Sequence, residues 1–440
     1  MHYLKKVALL LATTTLLSCS SSKTMATKKL HTPFVTVENG IFYRNGSPYH
    51  YIGTNYWYGA ILASEKYGNR ERLHKELDEL KAHGMVNLRI LFGAEGGDQD
   101  YTVRPALQYK QGVYDDALLE GLDYLLGELA KRDMTAILYL TNNWEWSGGM
   151  AKYLQWNGFG DVPNPNIPPH NWPEFMEFTP KFFTCDPCQE GFREHIKYAL
   201  QRTNRYTHIK YTEDPSIMAW QVANEPRIFT VDNEENFTKW INATVNLINN
   251  LDNNHLISTG SEGKASSNDD INAYKRTHTN PNIDYLTMHT WPKNWGWYTL
   301  ENEENATFIA IENALQYIDE HIEIAKDLNK PIVLEEFGFP RMQESLDKNA
   351  CLEYRNIFYT AIFNKLEKSI TNKEPFVALN FWGYGGLGKN NPENGKWNPG
   401  DDFTTDPPME PQGLNSIFST DKSTLYLIKM FNENIETLNE

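Results

Sequence analysis

Two glutamates at the ends of apolar, strand-like runs are the residues best suited to acid–base chemistry. Residues 217–222 form one such run, which continues into Glu225 and Pro226, and a proline cannot extend a sheet ladder. Residues 331–338 form a second run, in which Glu335 and Glu336 stand near the end. A single glutamate at a strand end would more often be a solvated surface residue. A pair on two strands can face each other across a sugar, one as proton donor and the other as nucleophile or base, so the pair indicates glycoside hydrolysis.

The segments that must position these glutamates alternate between strand and helix patterns. Short apolar or β-branched runs are separated by longer helical patterns, and only the unit after the fifth run lacks a clear long helix. Eight such units predict an α/β fold with parallel strands, a single (β/α)8 TIM barrel; a doubly wound open sheet is the alternative. The predicted strands are 50–54, 86–92, 135–140, 217–222, 255–259, 285–289, 332–336 and 376–381, and the predicted helices are 70–83, 116–132, 189–206, 234–251, 306–328, 351–368 and 423–434.

Three long insertions, 142–184, 291–305 and 383–413, each follow a predicted strand. They are therefore expected at the C-terminal face of the barrel, where active sites of this fold lie. They hold eight of the twelve tryptophans. For one tryptophan, burial under its own loop is the simpler interpretation, but the set predicts a groove in which sugars stack. The eight are Trp144, Trp146, Trp156, Trp172, Trp291, Trp295, Trp297 and Trp397.

The charge balance limits the kinds of partner that the chain can bind. There are 57 Asp and Glu residues against 41 Lys and Arg, which gives a formal net charge of −16. Phosphate-rich partners need a basic face, so the balance argues against nucleic acid and anionic membrane surfaces. A neutral ligand meets no such repulsion, and an aromatic content of 13% suits a protein that stacks against sugars.

Residues 1–18 have the features of a secretory signal. Lys5 and Lys6 precede an apolar run that is too short to span a bilayer, so a membrane anchor is not indicated. The run ends in Leu-Leu-Ser-Cys19, which resembles a bacterial lipobox and implies lipidation of Cys19, with residues 19–33 as a flexible tether. We therefore expect an exported protein whose only membrane attachment is a lipid anchor in the bacterial outer membrane. The alternative is a plain signal peptide and a secreted protein.

The remaining motifs do not indicate a cofactor or a metal. Cys185 and Cys188 form a CxxC pair without the second pair that a zinc site needs, and we favour a local disulfide or free thiols over redox chemistry. Residues 383–388 fit GxGxxG, but residues 389–395 cannot open a helix, so a dinucleotide site is not expected.

The ordered strand ends resemble glycoside hydrolase family 5, a family of retaining enzymes on a (β/α)8 barrel. Asn-Glu225-Pro resembles its fourth strand end, which implies that Glu225 is the acid/base. Glu336-Phe-Gly resembles its seventh strand end, which implies that Glu336 is the nucleophile. The resemblance selects Glu336 over Glu335, and because successive strand side chains point oppositely, only one of the two is expected to face the centre.

Further residues match the family pattern in order. Arg89 resembles the second-strand arginine that contacts the nucleophile and keeps it ionised, and Asn224 would hydrogen-bond the sugar 2-hydroxyl. His289 and Trp291 resemble the sixth-strand His-x-Tyr, although tryptophan replaces the usual tyrosine and lacks its acceptor oxygen. Trp382 resembles the eighth-strand tryptophan that forms the floor under the sugar.

Within the family the chain looks most like endo-β-1,4-mannanases. The segments around Trp57 and Trp144 and the sequence Ala-Asn-Glu-Pro-Arg227 carry this likeness. It implies that Trp57 and Trp144 contact the sugar and that Arg227 binds it on the leaving-group side. Lys152 stands where glutamine is expected, which affects an outer subsite. The resemblance implies a monomer without cofactor that cleaves internal bonds of mannan, glucomannan or galactomannan. An exo-acting β-mannosidase or mannobiohydrolase, a β-1,4-glucanase and a non-catalytic glycan-binding barrel are the alternatives.

Overall fold

The computed structural model describes residues 33–390 and 395–439. The predicted signal sequence, Cys19 and nearly all of the predicted tether lie outside the described residues. Eight parallel strands form one sheet in which the order of neighbours is five, four, three, two, one, eight, seven, six. The barrel strands are Tyr51–Asn55, Asn87–Leu91, Thr135–Tyr139, Ile217–Gln221, Leu256–Ser258, Leu286–Thr290, Ile332–Phe337 and Phe376–Phe381.

The seam between the fifth and sixth strands closes the sheet into a barrel. The Asp284 N–H donates to the Ile257 carbonyl oxygen at 2.8 Å. At the other end of the seam, the His289 N–H donates to the Glu262 carbonyl oxygen at 3.0 Å. The predicted (β/α)8 barrel is thereby confirmed, and the open-sheet alternative is excluded.

Helices connect the strands and cover the outside of the barrel. All seven predicted helices are present, and the unit after the fifth strand has only a short helix. The predicted helix 189–206 is shifted, because Cys185 caps its start and the Asn204 side chain forms a turn with the Tyr206 N–H after its end. The helices are Gly59–Ala63, Arg70–Ala82, Asp116–Lys131, Gly149–Trp156, Trp172–Phe178, Asp186–Leu200, Glu234–Leu251, Ile271–Thr277, Glu303–Leu328, Glu353–Thr371 and Lys422–Asn439.

A small antiparallel sheet at the N-terminus closes the bottom of the barrel. Its strands are Thr36–Glu38, Ile41–Arg44 and Ser47–Pro48. Phe42 is fully buried against the ring of Tyr285, with 5.4 Å between ring centroids. Two further strand pairs lie in the loops, Gln108–Lys110 with Val113–Tyr114 and Tyr384–Gly386 with Ile417–Phe418.

The long loops at the opposite end are themselves structured. The insertion after the third strand contains the helices Gly149–Trp156 and Trp172–Phe178. Cys185 and Cys188, just beyond it, form a local disulfide, one of the two states that the sequence left open. Within the described residues, no helix combines the length and the apolar character that crossing a membrane requires.

Candidate active site

Glu225 is placed by an unusual backbone conformation at the end of the fourth strand. Asn224 continues the sheet through a bridge to Asn142, and Glu225 then adopts a φ of +49°. This left-handed region costs a residue with a Cβ about 1 kcal/mol or more, so it persists only where the surroundings fix it. Here the Glu225 N–H donates to the Gly260 carbonyl oxygen at 2.9 Å. The turn directs the carboxylate into the cavity at the C-terminal face.

Glu336 lies beside an irregularity in the seventh strand. Leu334 of the seventh strand pairs with Met288 of the sixth strand. His289, which follows Met288, pairs with Glu336, so Glu335 is the extra residue of a β-bulge. A bulge interrupts the alternation of side chains. The expectation that only one of the two glutamates faces the centre is therefore wrong, because both approach Arg89. Only Glu336 lines the cavity, so the choice between the two glutamates agrees with the geometry.

The two carboxylates and a histidine form one compact cluster. One oxygen of Glu225, one oxygen of Glu336 and a ring nitrogen of His289 lie within 4.8 Å of one another. Nδ1 of His289 is 2.7 Å from Glu225 Oε1 and 3.5 Å from Glu336 Oε2. Burial, together with the charge of Arg89, lowers the pKa of His289 well below its ordinary value, so the ring is neutral. We place its single proton on Nδ1, where it is donated to Glu225.

Arg89 acts on the carboxylates from beneath the cavity. Its side chain is completely buried, and Nη1 donates to Glu336. Nη2 donates to Asn224 Oδ1 at 2.8 Å, and Nε donates to Gln221 Oε1 at 2.8 Å. Burial and the nearby Glu225 carboxylate raise the pKa of Glu336 well above its ordinary value, and the charge of Arg89 opposes this rise. Arg89 and His289 are both fully buried. They therefore influence the protonation of the carboxylates and do not contact a sugar themselves.

A second chain of contacts reaches Glu225 from the side of the fourth strand. The indole N–H of Trp144 donates to Glu225 Oε2. The guanidinium of Arg227 lies over the Trp144 ring, 4.9 Å from its centroid. Arg227 is held by Glu262, to which Nε and Nη2 both donate. The predicted residues Trp144 and Arg227 therefore meet at the cavity, and Glu262 supports them.

The cavity that contains the two carboxylates has a volume of about 400 Å³. Trp382 and Trp291 lie against each other in its wall, with 5.9 Å between ring centroids. Within the described residues, Trp291 makes no hydrogen bond to Glu336, although its indole N–H could donate one. Lys152 lies outside the cavity, where its Nζ donates to Asp98 and Gln155 at 2.5 and 2.6 Å.

Trp57 requires a correction, because it does not reach the cavity. Its side chain is 1% exposed, and its indole N–H donates to the carbonyl oxygen of Thr405. It is the second of four rings that stand in a row, which we call the aromatic partition: Trp146, Trp57, Phe403 and Trp397. Successive centroids are 5.3, 5.2 and 4.7 Å apart. The insertion after the eighth strand thus covers the residue that was expected to contact a sugar.

Several cavity residues were not identified from the sequence. Glu262 follows the fifth strand, and its position at a strand end was a signal that could have found it. Glu410 comes from the insertion after the eighth strand, and burial together with nearby Asp406 raises its pKa to about 8. The others come from the insertions, which carry no spacing signal. They are Met176, Asn294, Pro407 and Met409.

The Glu225–His289–Glu336 cluster is also the one group of three potential metal-ligating side chains found in the described part of the chain. Trp144 and Arg89 already donate to its carboxylate oxygens, and these donors would compete with a cation. The arrangement suits proton transfer and nucleophilic attack, and we assign no metal to it.

Comparison with known proteins gives consistent results. A family model described as "GH family 5 beta-mannosidase-like" matches residues 32–440. The curated mannan endo-1,4-beta-mannosidase 7 of Arabidopsis thaliana is 28% identical over 362 residues, which are 79% of this chain and 77% of that protein. Mannan endo-1,4-beta-mannosidase 1 of Solanum lycopersicum is 28% identical over 74% of this chain and 80% of its own length.

Solved structures show the same relationship. A glycoside hydrolase family 5 mannosidase from Rhizomucor miehei has a TM-score of 0.85 and 31% identity, and the match covers 92% of this chain and 98% of that one. The endo-beta-1,4-mannanase from Thermotoga petrophila has a TM-score of 0.64 at 23% identity over 90% of this chain and 78% of that one, and shares the fold.

Proposed function

The chain belongs to glycoside hydrolase family 5, and we propose that it cleaves β-1,4-mannosidic bonds with retention of anomeric configuration, from a chain end. The observation that carries the proposal is the pair of buried carboxylates, each held by its own donors, with oxygens within 4.8 Å. Retaining enzymes hold their carboxyl groups about 5–5.5 Å apart, whereas inverting enzymes leave about 6.5–9.5 Å for a water molecule. Facing oxygens within 4.8 Å leave little room for a water molecule between the carboxylates, which supports the retaining arrangement.

The proposed reaction has two displacements. Glu225 gives its proton to the glycosidic oxygen as that oxygen leaves, and the Glu336 carboxylate forms a bond to the anomeric carbon. In the second step Glu225 takes a proton from water, the water oxygen attacks the anomeric carbon, and the bond to Glu336 breaks. Asn224 lines the same cavity, and the second N–H of its amide would donate to the sugar 2-hydroxyl. Arg89 opposes the rise in the pKa of Glu336 and so favours the ionised form that the attack needs.

The aromatic partition supports action at a chain end. The described residues that line the cavity follow strands three to eight, and none follows the first or second strand. The loops after those two strands line a separate cavity of about 470 Å³, which includes Tyr58 and Pro105. Phe403 and Trp397 of the aromatic partition line that second cavity, and neither lines the cavity of the carboxylates. A cavity of about 400 Å³ is near the lower limit for small-molecule sites, roughly two sugar rings, whereas an internal cut needs room on both sides.

Cleavage of internal mannan bonds is the second candidate function. It is favoured by the curated relatives, which carry the name mannan endo-1,4-beta-mannosidase. An endo enzyme would have to displace the insertion that contains Phe403 in order to admit a polymer. The products distinguish the two candidates.

The test is a time course with mannopentaose and with polymeric mannan, glucomannan and cellulose. We expect mannose or mannobiose as the only early product and, by NMR, the β-anomer released first. Mixed oligomers from the start would establish the endo alternative, early α-anomer would refute retention, and cleavage of cellulose alone would overturn the substrate.

Glu225→Gln and Glu336→Ala should lose the activity. Glu213→Gln is the matched control, because this exposed glutamate precedes the same strand whose other end carries Glu225. A wild type that binds mannan without cleaving it would indicate a non-catalytic barrel.

We also propose that the protein is exported and anchored through a lipid on Cys19. The support is the sequence of residues 1–19 alone, where Lys5 and Lys6 precede a short apolar run and Leu-Leu-Ser-Cys19 comes next. A membrane-bound hydrolase of this kind would act on glycans that reach the cell envelope.

A further inference from the structure

Glu335 is a buried acid that the proposed mechanism does not use. Its side chain is fully buried and, unlike that of Glu336, does not line the cavity. Oε2 of Glu335 is 3.6 Å from Arg89 Nε and accepts a hydrogen bond from Gln221 Nε2 at 2.5 Å. Oε1 accepts one from the Tyr285 hydroxyl at 3.1 Å. Arg89 therefore faces two carboxylates, Glu335 at Nε and Glu336 at Nη1.

The contacts of Glu335 favour its ionised form. The oxygen of the Gln221 amide accepts from Arg89 Nε at 2.8 Å, so the amide nitrogen must point to Glu335 as a donor. Tyr285 directs its hydroxyl to the other oxygen of the same carboxylate. Burial raises the pKa of Glu335, while Arg89 and the two donors oppose that rise, and we assign Glu335 the ionised form on the strength of these three contacts.

We propose that Glu335 is a positioning residue that remains the counter-ion of Arg89 throughout the reaction. Glu335 weakens the attraction between Arg89 and the Glu336 carboxylate, and it holds the guanidinium in place. This inference rests on the proposed retaining function. When Glu336 forms its bond to the sugar, it becomes a neutral ester and no longer balances Arg89. A buried cation without a partner is costly, and Glu335 supplies the charge that stays.

The same geometry determines how Glu335 affects the nucleophile. A negative neighbour on Arg89 weakens the attraction that Arg89 exerts on Glu336, so it keeps Glu336 more basic than Arg89 alone would allow. Removing the charge of Glu335 should therefore lower the pKa of Glu336. Several other charged or titratable groups face Glu336, Arg89 or Glu335 and stay unchanged in this comparison. They are Tyr51, Tyr139, Glu225, Glu262, Tyr274, Tyr285 and His289.

The test measures inactivation by 2-deoxy-2-fluoro-β-mannosyl fluoride as a function of pH. Fluoride leaves without protonation, so the acidic limb of the inactivation rate reports the ionisation of Glu336 rather than acid catalysis by Glu225. In Glu335→Gln we expect the acidic limb of the inactivation rate to move to lower pH by about one pH unit, because the variant loses one negative charge near Glu336. Tyr285→Phe is the matched control: it removes a donor to Glu335 but leaves the charge, so its limb should stay within about 0.3 units of wild type.

Each outcome bears on a different claim. A wild type that is not labelled on Glu336 refutes the proposed function, whereas a labelled wild type with the same limb in Glu335→Gln overturns this inference alone. A folded Glu335→Gln that is merely slower at every pH indicates structural support and also overturns it. If Glu335→Gln does not fold, Glu335→Asp keeps the charge and should keep the limb. A limb displaced to lower pH in Glu335→Asp would contradict the proposal.

Discussion

Replacing Arg89 by methionine should destabilise the fold as well as abolish activity. Arg89 is completely buried and donates to Glu336, Asn224, Asn55 and Gln221. Methionine fills part of the volume but leaves buried carboxylates without a cation. Breaking a buried ion pair by removing one partner costs about 3–5 kcal/mol, and we expect the free energy of unfolding to fall by that amount at pH 7.

The size of the deficit should depend on pH. Without Arg89 the pKa of Glu336 in the folded state rises further above its unfolded value, so protonation favours the folded variant as pH falls. We therefore expect the difference in unfolding free energy between wild type and Arg89→Met to shrink towards pH 5. Urea unfolding of both proteins at several pH values measures it.

Arg89→Lys is the control for this experiment. Lysine keeps the charge but cannot reproduce the planar fork of donors, so it should recover part of the stability and little of the activity. The reasoning is refuted if Arg89→Met unfolds within about 1 kcal/mol of wild type. It is also refuted if the deficit is the same at every pH, because an uncompensated carboxylate would then not be its cause.

Three further predictions concern the pH dependence of activity, the disulfide and the lipid anchor. Because burial and Glu225 raise the pKa of Glu336, activity is lost as pH falls through that raised value, and the acidic limb of kcat/KM should lie well above pH 4.5 in a pH–rate profile. Reducing the Cys185–Cys188 disulfide, which closes a very short loop, should lower the unfolding free energy by no more than about 2 kcal/mol and leave hydrolysis intact, as urea unfolding and an activity assay with and without reductant would show. Cys19→Ser should move the protein from the membrane pellet to the soluble fraction when cells are fractionated, and a pellet-bound variant would contradict the lipid anchor.

The barrel could be predicted because its signals are local. Each strand is a short apolar run bounded by polar residues, and each helix shows its own periodicity, so order and number suffice for the fold. Glu225 and Glu336 could be located for the same reason, since a strand end fixes the height of a side chain in the barrel. The N-terminal sheet that buries Phe42 was not found, because its strands are only two to four residues long.

The details of the site depend on contacts that no local pattern records. Strict alternation would point Glu335 and Glu336 to opposite faces, yet pairing with the sixth strand places an extra residue at 335 and brings both acids to Arg89. The left-handed conformation of Glu225 is likewise imposed by its neighbours, through the carbonyl of Gly260. Register and backbone strain are properties of paired strands, and a single strand's sequence does not contain them.

Trp57 shows how a distant insertion can change what a side chain at a barrel strand end does. The first strand places its indole at the C-terminal face, which is where a sugar-binding tryptophan belongs. Residues 403–405, nearly 350 positions later, cover it and take its N–H as a donor to a backbone carbonyl. The Trp57 ring, which was expected to extend the sugar-binding cleft, is instead part of the aromatic partition. The length of substrate that the site admits is thus set by which loop packs on Trp57, while the two carboxylates stay where the barrel puts them.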